Sequence, residues 1–303
     1  FMYNVLAANF NAMGKSGIPL GLLIFSSVLN VILDLVMVIH FRMGVAGVAI
    51  ATVIAQGISA VISFTILMYQ LRSYKADQAP SLFDVHMLCA GVKIAVPSIV
   101  QQSIVSIGML LTQSSVNQFG SSALAGYSAG MRLESIGIVP MIATGNAVST
   151  FTAQNLGAGK KDRVKHGYHV AYQIIIGFGV VLFLICQAFY RPILSLFMDT
   201  AVSSVAFDTG AAYLRFIGTF LCIIGFKAIT DGVLRGAGDV NVYMIANLVN
   251  LSIRVVIARL CSPIFGIQVI WYAVPLGWLA NYLISFGWYR TGHWERKQLV
   301  EDT

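Results

Sequence analysis

Eight apolar runs divide this chain of 303 residues, at about 18–40, 45–71, 91–118, 121–153, 166–189, 208–234, 240–262 and 267–289. Each is near or above the roughly 20 residues that an α-helix needs to cross the hydrocarbon core of a bilayer. A helix suits that solvent because it satisfies every backbone N–H and C=O within its own segment. The expected fold is therefore all-α, a multi-pass transmembrane helical bundle. Composition agrees: 57% of residues are hydrophobic and only 10% are charged, where about 25% is usual in a soluble domain.

Within this background the run Ser26 to Val38 stands out, because its only ionisable group is Asp34. A carboxylate near the bilayer centre costs at least about 2.5 kcal/mol on insertion scales, so such groups usually face a cavity and serve transport. Asn30 lies four residues earlier, on the same helical face. An amide oxygen and a carboxylate stacked in this way could hold a small cation or share a proton. They could equally hydrogen-bond across helices and fix their positions.

The net charge of +7 does not point to nucleic acid, because the basic residues sit in short clusters between apolar runs, where membrane topology explains them. Twelve Lys and Arg fall in the loops on one side (Lys15, Arg72, Lys75, Lys93, Lys160, Lys161, Arg163, Lys165, Arg235, Arg290, Arg296 and Lys297) and two on the other (Arg42 and Arg191). The first side, with the C-terminus, is expected to be cytoplasmic and the membrane to be the plasma membrane. Four dispersed cysteines without a C-x-x-C spacing signal neither zinc nor a redox pair, and are expected to be reduced and buried.

The most polar interval, RSYKADQAPSLFDV, suggests a boundary between two helical bodies. The chain is read as 1–71, the remainder of a first lobe; 72–90, a cytoplasmic linker; 91–289, a second lobe; and 290–303, a cytoplasmic tail. LRGAGD, ending at Asp239, resembles FNAMGK, ending at Lys15, at an offset of 224, and a span, a glycine turn and a final span follow each. Taken as a duplication, the counterpart of Phe83 lies about 140 residues before Phe1. Phe1 itself opens inside a helical segment, so the chain is expected to be N-terminally truncated. The parent would have two six-helix lobes related by an axis along the membrane normal. The same offset maps Asn30 onto Arg254 and Asp34 onto Ala258, so coupling at the amide–carboxylate pair would belong to one lobe only.

The stretches YNVLAANFNAMGKSGIP, SSVLNVILDLVMVI, GVAGVAIATVIAQGISA, GYSAGMRLESIGIVPMIATGNAVSTFTAQNLGAGKKDRV and DGVLRGAGD resemble the multidrug and toxic compound extrusion (MATE) family, from the end of its fourth helix through its twelfth. The resemblance implies a two-lobe architecture with the first lobe incomplete. It also implies a secondary antiporter that exports cationic amphipathic compounds in exchange for H+ or Na+, with no other cofactor. The chain is similar to the DinF-type branch, whose cation or proton site matches Asn4, Asn30, Asp34 and Thr52 here, all oxygen-bearing side chains that suit Na+ or a proton. The NorM-type branch uses carboxylates on its seventh and tenth helices. VPSIVQQSIVSIG has none, and Ile224 stands at the second position.

Other polar residues in the spans are candidates for a substrate cleft or charge network. Lys227 and Asp231 are one turn apart and could pair. Arg132 and Glu134 are two apart and each needs a partner on another helix. Gln101, Gln102 and Asn117 could line a cleft or bond between helices. Gly157-Ala158-Gly159 followed by two lysines lacks the phosphate-loop spacing and reads as an interhelical loop. The expected partners are the lipid bilayer and small organic cations, with the protein a monomer. A flippase of lipid-linked glycans is the alternative within transport, which a cleft lined by several Arg and Lys would favour. A membrane enzyme is the alternative outside it, but His166 and His169 form no metal-binding or catalytic pattern.

Overall fold

The structure, a computed structural model, describes residues 1–72, 83–198 and 204–295. Among them there is no strand. The helices are α1 Met2–Ala12, α2 Gly17–Leu35, α3 Gly44–Leu71, α4 Val85–Asn117, α5 Ser121–Gly157, α6 Lys161–Ala188, α7 Tyr190–Ser195, α8 Ser204–Gly236, α9 Val240–Val256, α10 Ser262–Phe265 and α11 Gln268–Arg290. Among the described residues eight stretches are long and apolar enough to cross a membrane, one for each run read from the sequence. The ends differ. α5 continues to Gly157 and α6 begins at Lys161, so most of the basic cluster expected in a loop lies on a helix. α4 begins at Val85, inside the interval 72–90, of which 73–82 lies outside the described residues. Hydrophobicity marks only the part of a helix that meets lipid, and a helix can carry polar residues past that point.

The chain forms two compact units, Phe1–Asp84 and Val85–Thr303. In the first, α3 is organised by small residues four apart: Gly47, Ala51, Ala55, Ser59 and Ser63 are all buried. This spacing makes one stripe along the helix and lets neighbouring backbones approach. The approach is tight at Gly47, where an added Cβ would come within 3.0 Å of the Cβ atoms of Met37 and Met43. The outer face carries Val45, Val53 and Val61, all exposed, as a lipid-facing surface requires.

α2 does not end in a regular turn. It runs into a π turn, Val36–His40, in which the Phe41 N–H donates to the Val36 carbonyl at 3.1 Å. α9 does the same at Ile257–Cys261.

The second unit is built on a seam between α5 and α8. A Cβ at Gly126 would collide with the Ala206 carbonyl, one at Gly145 with that of Ala228, and one at Gly236 with that of Ser149. Contacts advancing in the same direction along both helices show that they run parallel, backbone against backbone. Around the seam Tyr127, Met141, Ile175, Ile217, Ile229, Leu234 and Ile270 form a closed apolar core. All four cysteines are free. Cys186 is buried, Cys222 and Cys261 are half-buried, and Cys89 is exposed. The expectation of burial therefore fails at Cys89, because a thiol is apolar enough to stand on the outer face of a helix.

Candidate functional site

In the first unit, α1, α2 and α3 enclose a cleft of about 240 Å³. Three residues singled out in the sequence line it: Asn4 from α1, Asn30 from α2 and Thr52 from α3, with Ser26, Ser27 and Gln56 beside them. The Asn30 amide Nδ2 donates to Thr52 Oγ1 at 3.2 Å, while the Thr52 hydroxyl donates to the Val48 carbonyl at 2.9 Å. Spending its one proton on its own helix leaves the Thr52 oxygen an acceptor toward α2. The polar side chains of the cleft wall are thus hydroxyl and amide, with Phe1, Leu23 and Ala55 completing it.

Asp34 lies one turn further along α2 and does not line this cleft. Its side chain is half-buried, and Oδ1 is fully buried without a hydrogen-bond partner among the described residues. An unsatisfied buried acceptor costs about 1–3 kcal/mol, and more when charged. A cation would supply the missing partner, and a proton would remove the charge. The π turn begins two residues later, at Val36.

The second unit gathers charge of both signs. Glu134 on α5 accepts a hydrogen bond from the Tyr213 hydroxyl on α8, which supplies the partner its position demands. The Tyr213 ring meets Tyr127 edge-on at 5.1 Å and Trp271 at 5.7 Å. Arg254, from α9, lies against α11, its Cγ 3.1 Å from where a Cβ on Gly277 would stand. Tyr127 OH, Trp271 Nε1 and Arg254 Nε are buried without hydrogen-bond partners among the described residues. Tyr127, Tyr213 and Trp271 are not among the residues that the sequence singles out. An unbalanced arginine in an apolar run was the available signal, since such a charge requires a partner.

Lys227 and Asp231 do pair, Nζ to Oδ2 at 2.9 Å, both well buried. The other Asp231 oxygen accepts from Ser285 Oγ at 2.6 Å. Next to Asp231, the Thr230 hydroxyl lies 2.9 Å from that of Tyr168 and 3.1 Å from that of Tyr172, which reaches Tyr282 at 3.2 Å. The group ties α8 to α6 and α11. With both oxygens of Asp231 occupied, it is built to hold helices together.

The remaining candidates do not converge. Gln101 is buried and Gln102 exposed. Asn117 is exposed at the end of the same helix, roughly 24 Å further along it. Arg132 is exposed, with no hydrogen bond or ion pair among the described residues.

The chain matches the MatE family over residues 97–260, more than half its length. It belongs to that family. It is 29% identical over its whole length to a probable multidrug resistance protein, YpnP, of Bacillus subtilis, covering 67% of that protein. To YoeA, another probable multidrug resistance protein of Bacillus subtilis, it is 26% identical over 99% of its length and 66% of that protein. The fold matches the crystal structure of a mutant of the Vibrio cholerae MATE transporter VcmN with a TM-score of 0.87 at 21% identity, over 97% of this chain and 67% of that one. The chain thus spans about two thirds of the length of the proteins it matches. MatE proteins are membrane transporters rather than enzymes, and the eight spans place this chain in a membrane.

Proposed function

We propose that this protein is a secondary antiporter that exports cationic, amphipathic compounds in exchange for H+ or Na+. The observation that carries the proposal is the pairing in the first unit of a cleft bearing hydroxyl and amide side chains with a carboxylate one turn away whose buried oxygen has no partner among the described residues. Asp34 accepts the proton or Na+, with Asn30, Thr52 and Asn4 supplying neutral oxygens, in the DinF-type arrangement. Ion binding changes how α1, α2 and α3 pack. The ion drives export because it binds one arrangement more tightly than the other; equal affinity would shift nothing. The protein works as a monomer in the plasma membrane with its C-terminus in the cytoplasm, and no cofactor beyond the coupling ion takes part.

The test is dye efflux from vesicles holding the full-length protein, wild type against Asp34→Asn, with pH and sodium gradients imposed separately. Loss of gradient-driven efflux with dye binding retained is the expected result, and the effective gradient names the ion. Unchanged efflux in Asp34→Asn would sink the proposal.

A further inference from the structure

The second unit carries a groove of about 500 Å³ that neither the ion site nor the charge cluster uses. Its walls are two helical stripes. α5 contributes Thr144, Ala147, Val148 and Phe151, and α6 contributes Arg163, His166, Gly167, Val170, Ala171 and Ile174. Both sets follow the spacing of three and four residues that keeps side chains on one face.

Gly167 sets the shape. A Cβ there would collide with the Phe151 ring, so the glycine lets that ring lie against α6 and form the floor.

The chemistry of the groove changes along its length. From Arg163 to Ile174 is eleven residues, roughly 16 Å of helix. Arg163 and His166 stand at the end next to the Gly157–Lys160 connection, and beyond them every α6 residue lining the groove is apolar. Lys160 and Lys161 add positive charge at the same end. Lys165 is already committed to Glu295 at 2.9 Å. Asp162 shares the first turn but does not line the groove. Arg163 and His166 are exposed and make no side-chain hydrogen bond or ion pair among the described residues. A cationic mouth leading into an apolar trough between two membrane-spanning helices has the polarity of one molecule in reverse.

We infer that this groove is a binding site for an anionic glycerophospholipid, with the phosphate at Arg163 and His166 and an acyl chain along Val148, Phe151, Val170 and Ile174. Basic pockets between transmembrane helices recognise anionic headgroups in this way. A neutral lipid fills the trough equally well but leaves the Arg163 guanidinium unanswered. A free phosphate ester answers Arg163 but leaves the trough empty.

The experiment is native mass spectrometry of the purified full chain, scoring retained phosphatidylglycerol against phosphatidylcholine from mixed micelles, with glycerol phosphate as a competitor. Wild type is expected to prefer phosphatidylglycerol. Arg163→Gln removes charge at the mouth and lowers that preference by about fivefold, and adding His166→Gln takes away a ring N–H that can donate to the phosphate and lowers it further. Val170→Trp fills the trough and reduces retention with Arg163 and His166 intact, while Arg191→Gln, the same charge removed elsewhere, leaves the preference unchanged. Monodisperse elution of each variant shows that it has folded. Equal retention of the two lipids by wild type overturns the inference, as do an unchanged preference in the double variant, an equal drop in Arg191→Gln, or displacement of the lipid by glycerol phosphate.

Discussion

The pair α2 and α3 in the first unit and the pair α9 and α11 in the second follow one plan. Each opens after a glycine in the left-handed region, Gly14 at φ 75° and Gly238 at 79°, and turns at another, Gly44 at 55° and Gly266 at 82°. Each first helix ends in a π turn. Each second helix buries a stripe with a residue every fourth position: Gly47, Ala51, Ala55, Ser59 and Ser63 on α3, and Ala273, Gly277, Asn281 and Ser285 on α11. What differs is the polar content. The first pair holds an acid, Asp34, and the second a base, Arg254, each with one buried atom unpartnered. Ser285 is answered by Asp231, while Ser59 and Ser63 have hydroxyls without partners among the described residues. Glycines and small side chains set the backbone plan, and charge can be redistributed on it without disturbing that plan.

The largest expected effect breaks the locked half of this comparison. Asp231→Ala leaves Lys227 buried without its counter-charge and should cost about 3–5 kcal/mol, read as a fall in thermal stability in detergent. Next, the two stripes should respond oppositely to the same change. Ser285→Ala strips a donor from a carboxylate and should cost about 1.5–3 kcal/mol. Ser59→Ala removes a hydroxyl with no partner and should cost nothing or stabilise. Equal losses at both positions would show that the two stripes are used alike.

A smaller effect is expected at the cleft. Thr52→Val should cost about 1 kcal/mol through the lost Asn30 bond and lower ion-driven efflux, and Thr52→Ser should restore both. Smallest is the turn itself. Arg42 adopts φ 54°, a conformation that costs a side chain energy, where the second pair manages with glycine alone. Arg42→Gly should therefore raise stability, by under about 1 kcal/mol.

The helices were legible because a bilayer selects strongly for length and apolarity, and all eight spans could be counted from hydrophobicity alone. The small-residue stripe through Gly47, Ala51 and Ala55 was legible for a related reason, since its spacing is a property of one helix. Asn4, Asn30 and Thr52 converge on one cleft, and it took resemblance to a family to name them together. Composition and spacing pointed only to Asn30 and Asp34. Tyr213 meeting Glu134 was not legible, because it joins positions 79 residues apart through the seam of α5 and α8. The π turns were not legible either, for no residue type announces them. The groove beside Arg163 was hidden because the sequence reading placed that residue in a loop.

The lengths of α2 and α9 bear on how positions in the two pairs correspond. From Gly14 to Gly44 is thirty residues, and from Gly238 to Gly266 is twenty-eight. Counted from the first glycine, Asn30 falls on Arg254; counted from the second, Asp34 falls on Val256. The short connections at the two ends offset one another and each π turn has five residues, so the difference lies in the regular helix before the turn, 19 residues in α2 against 17 in α9. Two residues are more than half a turn. That is enough rotation to carry a charged group from one wall of its helix to the opposite one while both ends stay anchored.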